Sequence, residues 1–223
     1  MAIAHVQTSS ETTVSGASSG TIALDPTAGN SIFVGVMQIS ANVRTYTADD
    51  TINTYNTDVS QAAAAGNVAA LIAAHNVAEN SVTITVTGSG NYTARLRAIE
   101  VDFDGVGVLE DSSSIDEAAT SSHVSAAAGK VDTAGEALLV TVNCTQTANL
   151  GTDTAGSGFT EIEGGANSVF MQYGVFASPQ TDNQGAFTGT TSVATAGVIG
   201  AYKVTAAAGG DELLQSRLCI SMP

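Results

Sequence analysis

Residues 79–114 of the chain read ENSVTITVTGSGNYTARLRAIEVDFDGVGVLEDSSS. Over residues 82–87, valine or isoleucine alternates with threonine, which is the period-2 pattern of a strand with one buried face. Residues 88–91 are glycine, serine and asparagine, which favour a turn. A second alternation follows over residues 99–104, apolar on one side and acidic on the other. The stretch therefore predicts a β-hairpin with an apolar inner face and an acidic rim.

Other apolar runs predict further strands. Residues 31–40 (SIFVGVMQIS) are apolar at nearly every position, as in a central strand covered on both faces. Residues 61–65 are predicted to form a short helix or loop, and the Ser/Ala-rich residues 111–129 a loop. The remaining predicted strands are residues 68–75, 168–176, 185–193 and 197–204.

The two halves of the chain resemble each other. Residues 27–38 (TAGNSIFVGVMQ) and residues 133–144 (TAGEALLVTVNC) both run from a Thr-Ala-Gly turn into an apolar strand. GVIGAYKV, ending at Val204, occupies the place in the second half that ARLRAIEV, ending at Val101, holds in the first. This symmetry predicts two sheets of related strands. We therefore expect an all-β protein, an antiparallel two-sheet β-sandwich of jelly-roll-like type, over residues 1–204. Residues 205–223 form a C-terminal extension, predicted to pack on its own domain or on a neighbouring subunit.

The net charge of the chain argues against some classes of binding partner. Six basic and 21 acidic residues give a formal net charge of −15, which argues against binding to nucleic acid or to anionic lipid. Charged residues make up 12% of the chain, about half the usual ~25%, so the surface must consist largely of Thr, Ser, Asn and Gly. Adaptation to a saline environment is an alternative explanation of the acidity.

The compartment is predicted from the cysteines and the N-terminus. Cys144 and Cys219 each lie in an apolar run, where a free cysteine behaves as a small buried hydrophobe; a disulfide bridge is the alternative. The N-terminal sequence MAIAHVQTSSETT has neither the basic nor the apolar region of a signal peptide. We therefore expect synthesis in a cytoplasm without export through the Sec route.

The acidic rim is the one candidate for a metal site. It comprises Glu100, Asp102, Asp104, Glu110, Asp111, Asp116 and Glu117. Hard oxygen ligands beside the DGVG turn suit Ca²⁺, and the candidate ligands are Asp102, Asp104, Glu110 and Asp111. The spacing does not match an EF-hand loop, and a solvated acidic edge that prevents edge-to-edge aggregation is the alternative.

No pattern of a catalytic site is present in the sequence. His5, His75 and His123 lack metal-ligand spacing, and no GxSxG motif occurs. His75 ends an apolar run and is predicted to be half-buried and hydrogen-bonded. We therefore expect no catalytic residues, no bound cofactor and no enzymatic activity; a hydrolase with an unfamiliar site is a remaining alternative.

The order of these elements resembles a jelly-roll-like β-sandwich family common among the virion proteins of tailed phages. The stretches that match are AGNSIFV (Ala28–Val34), NVAENSVTITVTG (Asn76–Gly88), AIEVDFDGV (Ala98–Val106), EALLVTV (Glu136–Val142) and GAYKV (Gly200–Val204). The resemblance covers about residues 20–204.

The resemblance implies a bacteriophage structural protein on the capsid surface of the virion. In this hypothesis a homo-oligomer, with a trimer favoured, binds the major capsid protein and decorates or cements the head shell. The alternative is a tail or head-fibre adhesin domain that binds host surface glycans, with Ca²⁺ at the acidic rim.

Overall fold

The computed structural model describes residues 2–78, 81–126, 130–145, 150–163 and 169–205. Within these ranges the regular secondary structure consists of β-strands, and no helix is present. The strands are β1 (Ala4–Thr8), β2 (Thr12–Leu24), β3 (Ser31–Gln38), β4 (Tyr46–Asp49), β5 (Asn56–Ala62), β6 (Val68–Ala74), β7 (Val82–Asp102), β8 (Val106–His123), β9 (Ala137–Cys144), β10 (Thr160–Glu163), β11 (Val169–Phe176) and β12 (Phe187–Thr205). The predicted extension beyond Thr205, with Cys219, lies outside the described residues.

The strands form two sheets, and each sheet comes from one half of the chain. The first sheet has the order β1-β7-β3-β6-β5, with β2 and β4 also paired to β7. The second sheet has the order β10-β11-β9-β12-β8. Every strand pairing is antiparallel, and β3 and β6 pack across β9 of the opposite sheet. The predicted antiparallel two-sheet β-sandwich is confirmed.

The sheets repeat one arrangement of strands. Reading β2-β7-β3-β6-β5 in the first sheet and β8-β12-β9-β11-β10 in the second gives the same order, with each strand in the same place along its half. The strand register is offset by one residue from the alignment of residues 27–38 with residues 133–144, which pairs Phe33 with Leu139. Phe33 lies opposite Ile99 and Ala73, and Leu138 lies opposite Tyr202 and Val175. The two halves of the chain therefore share one five-strand arrangement, as the internal symmetry of the sequence predicts.

The predicted hairpin at residues 82–104 is wrong. Val82–Asp102 is a single strand, β7, that changes partners along its length. Its first part pairs with β2 and β4, and its second part pairs with β3 and with β1 and β2. Gly88 and Gly90 lie inside the strand. A Cβ on Gly88 would lie 2.8 Å from Cδ1 of Tyr92, so the glycine makes room for a ring and not for a turn.

Two further boundaries differ from the sequence expectations. Residues 111–123 belong to strand β8 and not to a loop. Residues 185–193 and 197–204 were expected as two strands, and residues 187–205 form the single strand β12. β8 and β12 pair along most of their lengths, with register shifts at Val193 and at Tyr202. Register shifts of this kind allow a long pair of strands such as β8 and β12 to bend. Small polar residues show no hydrophobic alternation, so the sequence does not reveal how long these two strands are. The strand predicted at residues 68–75 is confirmed as β6.

Two apolar layers are built on β3, whose eight residues are all buried. Phe33 and Met37 face the second sheet and join the inter-sheet core, whose other large members are Ile3, Leu71, Ile99, Val101, Phe103, Leu138, Val140, Val142, Val169, Met171, Val198 and Tyr202. Ile32, Val34 and Val36 face the other way, into the outer core beneath the bent part of β7 and β2. The outer core also contains Ile22, Ile72, Ile84, Val86 and Leu96. The expectation of a central strand covered on both faces is confirmed.

The strand β5 is linked to the second sheet by side-chain hydrogen bonds. The Tyr202 hydroxyl donates to Oδ2 of Asp58 at 2.6 Å, and the Ser114 hydroxyl donates to Oε1 of Gln61 at 2.9 Å. The amide of Ala64, just after β5, donates to Oδ2 of Asp116 at 3.0 Å. We call these three contacts the polar seam. The seam closes one side of the sandwich, where the half-exposed strand β5 offers little apolar surface.

Gly35 lies where β3 packs closely against the second sheet. A Cβ at this position would lie 2.6 Å from Sδ of Met171 and 3.3 Å from Cγ2 of Val142. We expect Gly35→Val to lower the free energy of unfolding by about 1–3 kcal/mol, because the added methyl groups overpack the inter-sheet core. Urea denaturation of the purified protein measures the effect.

Gly135→Ala is the matched control, since a Cβ there has no atom within 4 Å and its φ is not positive. Its midpoint should stay close to that of the unmodified protein. Adding Met171→Ala to Gly35→Val should recover part of the loss, because it vacates the space that valine enters. A Gly35→Val variant as stable as the control would contradict the assigned packing.

Candidate functional site

The acidic rim does not form one site. Glu100, expected at the surface, is fully buried on β7. Its Oε1 accepts hydrogen bonds from the Thr27 amide at 2.7 Å and from Nδ2 of Asn30 at 2.6 Å, and its Oε2 accepts one from Nε2 of Gln7 at 2.5 Å. Glu100 therefore fastens the turn before β3 and the strand β1 to β7. Burial is possible because polar hydrogen atoms surround both carboxylate oxygens.

The four candidate Ca²⁺ ligands are engaged separately. Oδ1 of Asp102 accepts from the Asp104 amide within the turn between β7 and β8, where both side chains are exposed. Oε1 of Glu110 lies 3.2 Å from Nζ of Lys203. Asp111 accepts from the amides of Ser112 and Asp132. Among the described residues, no group of three or more His, Cys, Asp or Glu side chains is placed to hold a metal ion.

The other two rim residues contact different strands. Asp116 belongs to the polar seam. Oε2 of Glu117 lies 3.3 Å from Nδ1 of His123 and accepts hydrogen bonds from the Val124 amide and the Thr195 hydroxyl. His123 is fully buried and its ring stacks on Phe187, with centroids 5.1 Å apart. These contacts hold the end of β8 onto β12.

A group of ionisable and hydroxyl side chains lies at one end of the inter-sheet core. We call it the end cluster, and it consists of Ser31, Asp58, His75 and Tyr202. The Ser31 hydroxyl and Nδ1 of His75 lie 2.9 Å apart, and the His75 and Tyr202 ring centroids are 5.8 Å apart. The Phe33 ring contacts both of those rings. The end cluster joins β3, β5 and β6 of the first sheet to β12 of the second.

Burial sets the protonation of this cluster. It lowers the pKa of His75 to about 4 and raises the pKa of Asp58, although the hydrogen bond from Tyr202 offsets part of the latter shift. Burial, together with Asp58, also raises the pKa of Tyr202 well above its usual value. The low dielectric around these groups therefore favours the uncharged form of each. The expectation of a half-buried, hydrogen-bonded His75 is confirmed.

A serine hydroxyl beside a histidine can act as a nucleophile and its general base, but the Ser31 hydroxyl is not accessible to a substrate. Its side chain is fully buried, and a Cβ on Gly107 of β8 would lie 2.9 Å from its hydroxyl oxygen. A substrate carbonyl has no room to approach that oxygen without moving β8. The geometry of the end cluster therefore suits a structural contact between the sheets.

A concavity of about 280 Å³ lies at the end of β12, lined by Glu110, Ala134, Gly135, Glu136, Lys203 and Val204. Oε1 of Glu110 accepts from the Ala134 amide at 3.3 Å as well as contacting Lys203. Oε1 of Glu136 accepts from the Ile3 amide at 3.3 Å. One oxygen of each carboxylate is thus used to hold the turn before β9 and the residues before β1.

Each of the five Lys and Arg side chains in the described ranges contacts a group of the same chain. The contacts are Arg44 with Asn91 O, Arg95 with Glu11, Arg97 with Ser9 O, Lys130 with Asp182 and Lys203 with Glu110. An anionic ligand would have to compete with these partners. No helix in the described part of the chain is long and apolar enough to cross a bilayer.

Sequence reasoning missed Ser31, Asp58 and Tyr202 as members of a cluster. Asp58 and Tyr202 are 144 positions apart, and neither belongs to a recognisable motif. Cys144 was predicted to be a buried thiol, and it is free and buried, with the Asn67 amide donating to its carbonyl oxygen at 2.8 Å. No protein-family model, no curated protein and no solved structure matches the chain.

Removal of the Tyr202 hydroxyl tests the contact across the sheets. We expect Tyr202→Phe to lower the free energy of unfolding by about 1–3 kcal/mol, since the half-buried Asp58 carboxyl loses its donor. Tyr173→Phe, on β11 of the same sheet, is the matched control and should change stability by less than about 0.5 kcal/mol. Chemical denaturation of both variants gives the comparison, and equal effects would show that the Asp58–Tyr202 contact does not stabilise the fold.

Asp58→Asn tests the raised pKa of Asp58. The folded-state pKa lies above the unfolded value of about 4, so the stability that the protonated carboxyl contributes is present below about pH 4 and is lost as the pH rises through the folded-state pKa. Asparagine keeps an oxygen to accept from Tyr202 and cannot ionise. The stability of Asp58→Asn relative to the unmodified protein should therefore increase between about pH 4 and pH 8. Urea denaturation across that range measures it, and a constant difference would contradict the assignment.

Proposed function

We propose that the protein is a structural protein of a tailed-phage virion that decorates or cements the capsid. The observation that carries the proposal is the two-sheet sandwich itself. Its strands β3, β7, β9 and β12 overlap the stretches on which the resemblance depends, and they occur in the same order. The partner is the major capsid protein, and the protein acts as a homo-oligomer, with a trimer favoured.

The contacts that the charged side chains of the described residues make within the chain support a mechanical role. The described Lys and Arg side chains are engaged within the chain, and the buried Glu100 carboxylate accepts hydrogen bonds from a backbone amide and from side chains. The strands β2, β4 and β7, which contribute to the outer core, are polar on their outward faces and carry exposed threonines there. Such a protein stabilises a shell by bridging capsomers through buried area, with hydroxyl-rich faces left to solvent.

The C-terminal residues supply the proposed anchor. β12 ends at Thr205, whose hydroxyl donates to Val106 O at 3.1 Å. Residues 206–223 contain DELLQSRLCISMP, in which apolar side chains recur at short intervals. In the proposal this segment packs on a neighbouring subunit or on the capsid surface.

Sedimentation with capsid shells tests the proposal. The purified protein and a variant that ends at Thr205 are each mixed with cognate empty shells and pelleted. We expect the complete protein to co-sediment and to raise the thermal stability of the shells, and we expect the shortened variant to do neither. Ending the variant at Thr205 preserves all of β12, and far-UV circular dichroism checks that both proteins are folded.

Different outcomes separate the parts of the proposal. Co-sedimentation of both forms would keep the decoration role and place the anchor on the sandwich. If neither form pellets and the shells gain no stability, the decoration role fails. The adhesin alternative would then be tested on a glycan array with and without EDTA.

A further inference from the structure

One of the three contacts of the polar seam, the hydrogen bond between Asp58 and Tyr202, belongs to the end cluster. It is the one seam contact that has a histidine beside it. Asp58 on β5 accepts from Tyr202 on β12, and the ring of His75, just after β6, lies beside the ring of Tyr202. The other two seam contacts involve Gln61 with Ser114 and Asp116 with the Ala64 amide. A change in the charge of His75 therefore acts directly where β5 and β12 meet.

The surroundings of His75 offer little to balance a positive charge. On β3 the nearest groups are the Ser31 hydroxyl and the Phe33 ring, and on β12 the Tyr202 ring. Tyr202 is neutral throughout the acid and neutral range, because its pKa is raised. On β5, Asp58 is the one carboxyl in the cluster, and burial raises its pKa, which disfavours the charged form that would balance a protonated His75.

We propose that the end cluster is an acid-sensitive contact: protonation of His75 places an uncompensated charge between the sheets and releases the Asp58–Tyr202 end of the polar seam. The part released is β5 with the adjoining end of β12. We expect the rest of the sandwich to stay packed, because the inter-sheet core and the outer core are built from apolar and tyrosine side chains.

The direction of the effect follows from linkage. The pKa of His75 is about 4 in the folded protein and about 6.5 when the chain is unfolded or the site is open. The contribution of neutral His75 is fully present above about pH 6.5 and is lost as the pH falls toward 4. Local opening of β5 should therefore become easier across that interval, while a chain without His75 should not show this step.

Amide hydrogen exchange measured by NMR tests the proposal on the complete protein. Protection factors of the β5 amides at Thr57 and Val59 and of Tyr202 are compared at about pH 7 and about pH 4, after correction for intrinsic rates. From the His75 shift alone we expect protection to fall by up to about a hundredfold in the unmodified protein, and in His75→Gln it should not fall, because the raised pKa of Asp58 acts in the opposite direction. The Ile84 amide, in the outer core, serves as an internal reference that should not change.

Two further measurements make the result decisive. His123→Gln, which alters the other buried histidine, should leave the acid effect at β5 unchanged. The imidazole signals of His75 should titrate well below the usual range of histidine. An equal loss of protection in His75→Gln, or titration of His75 near its usual pKa with no change at β5, would overturn the proposal. If His75→Gln does not fold, the imidazole titration and the β5 protection of the unmodified protein decide it.

Discussion

The fold depends on one constraint, that β3 must be buried on both faces. Its side chains alternate between the inter-sheet core and the outer core, so a shift of its register by one residue would move Phe33 and Met37 out of one core and three aliphatic residues out of the other. Gly35 adds to the constraint, because a Cβ there would lie 2.6 Å from Sδ of Met171 in the opposite sheet. Each buried large aliphatic residue contributes about 1.5–3 kcal/mol, so the correct register is strongly favoured.

Buried polar groups hold the ends of strands in place around this apolar framework. Glu100 ties the turn before β3 to β7, and Nε2 of Gln38 donates to the carbonyl oxygens of Ser40, Asn42 and Gly66 at the other end of β3. In the second sheet, Nδ2 of Asn143 donates to the Ser125 hydroxyl at 2.7 Å. These contacts give loops a fixed path without ion pairs between long side chains, which suits a chain with so few Lys and Arg residues.

The sequence predicts the fold class and misplaces several of its boundaries for identifiable reasons. The alternation at 82–87 and the apolar runs at 31–38 and 137–144 each correspond to an observed strand, because hydrophobic burial dictates their pattern directly. The turn expected at Gly88–Asn91 does not occur, since glycine there admits the Tyr92 ring, and packing between layers has no local signature. The end cluster could not be predicted, because its members meet only after both sheets have formed and belong to no motif.

The repetition of the five-strand arrangement also determines the path of the chain. Ala4 at the start of β1 lies opposite Asp102, and Thr205 at the end of β12 lies opposite Val106, so both ends flank the short turn that joins the halves. No strand of one half pairs within the sheet of the other. The order in which the halves follow each other along the polypeptide is therefore not encoded in any strand pairing. A circularly permuted chain that began at Val106 and joined Thr205 to Ala4 through a short linker could form every strand pair seen here.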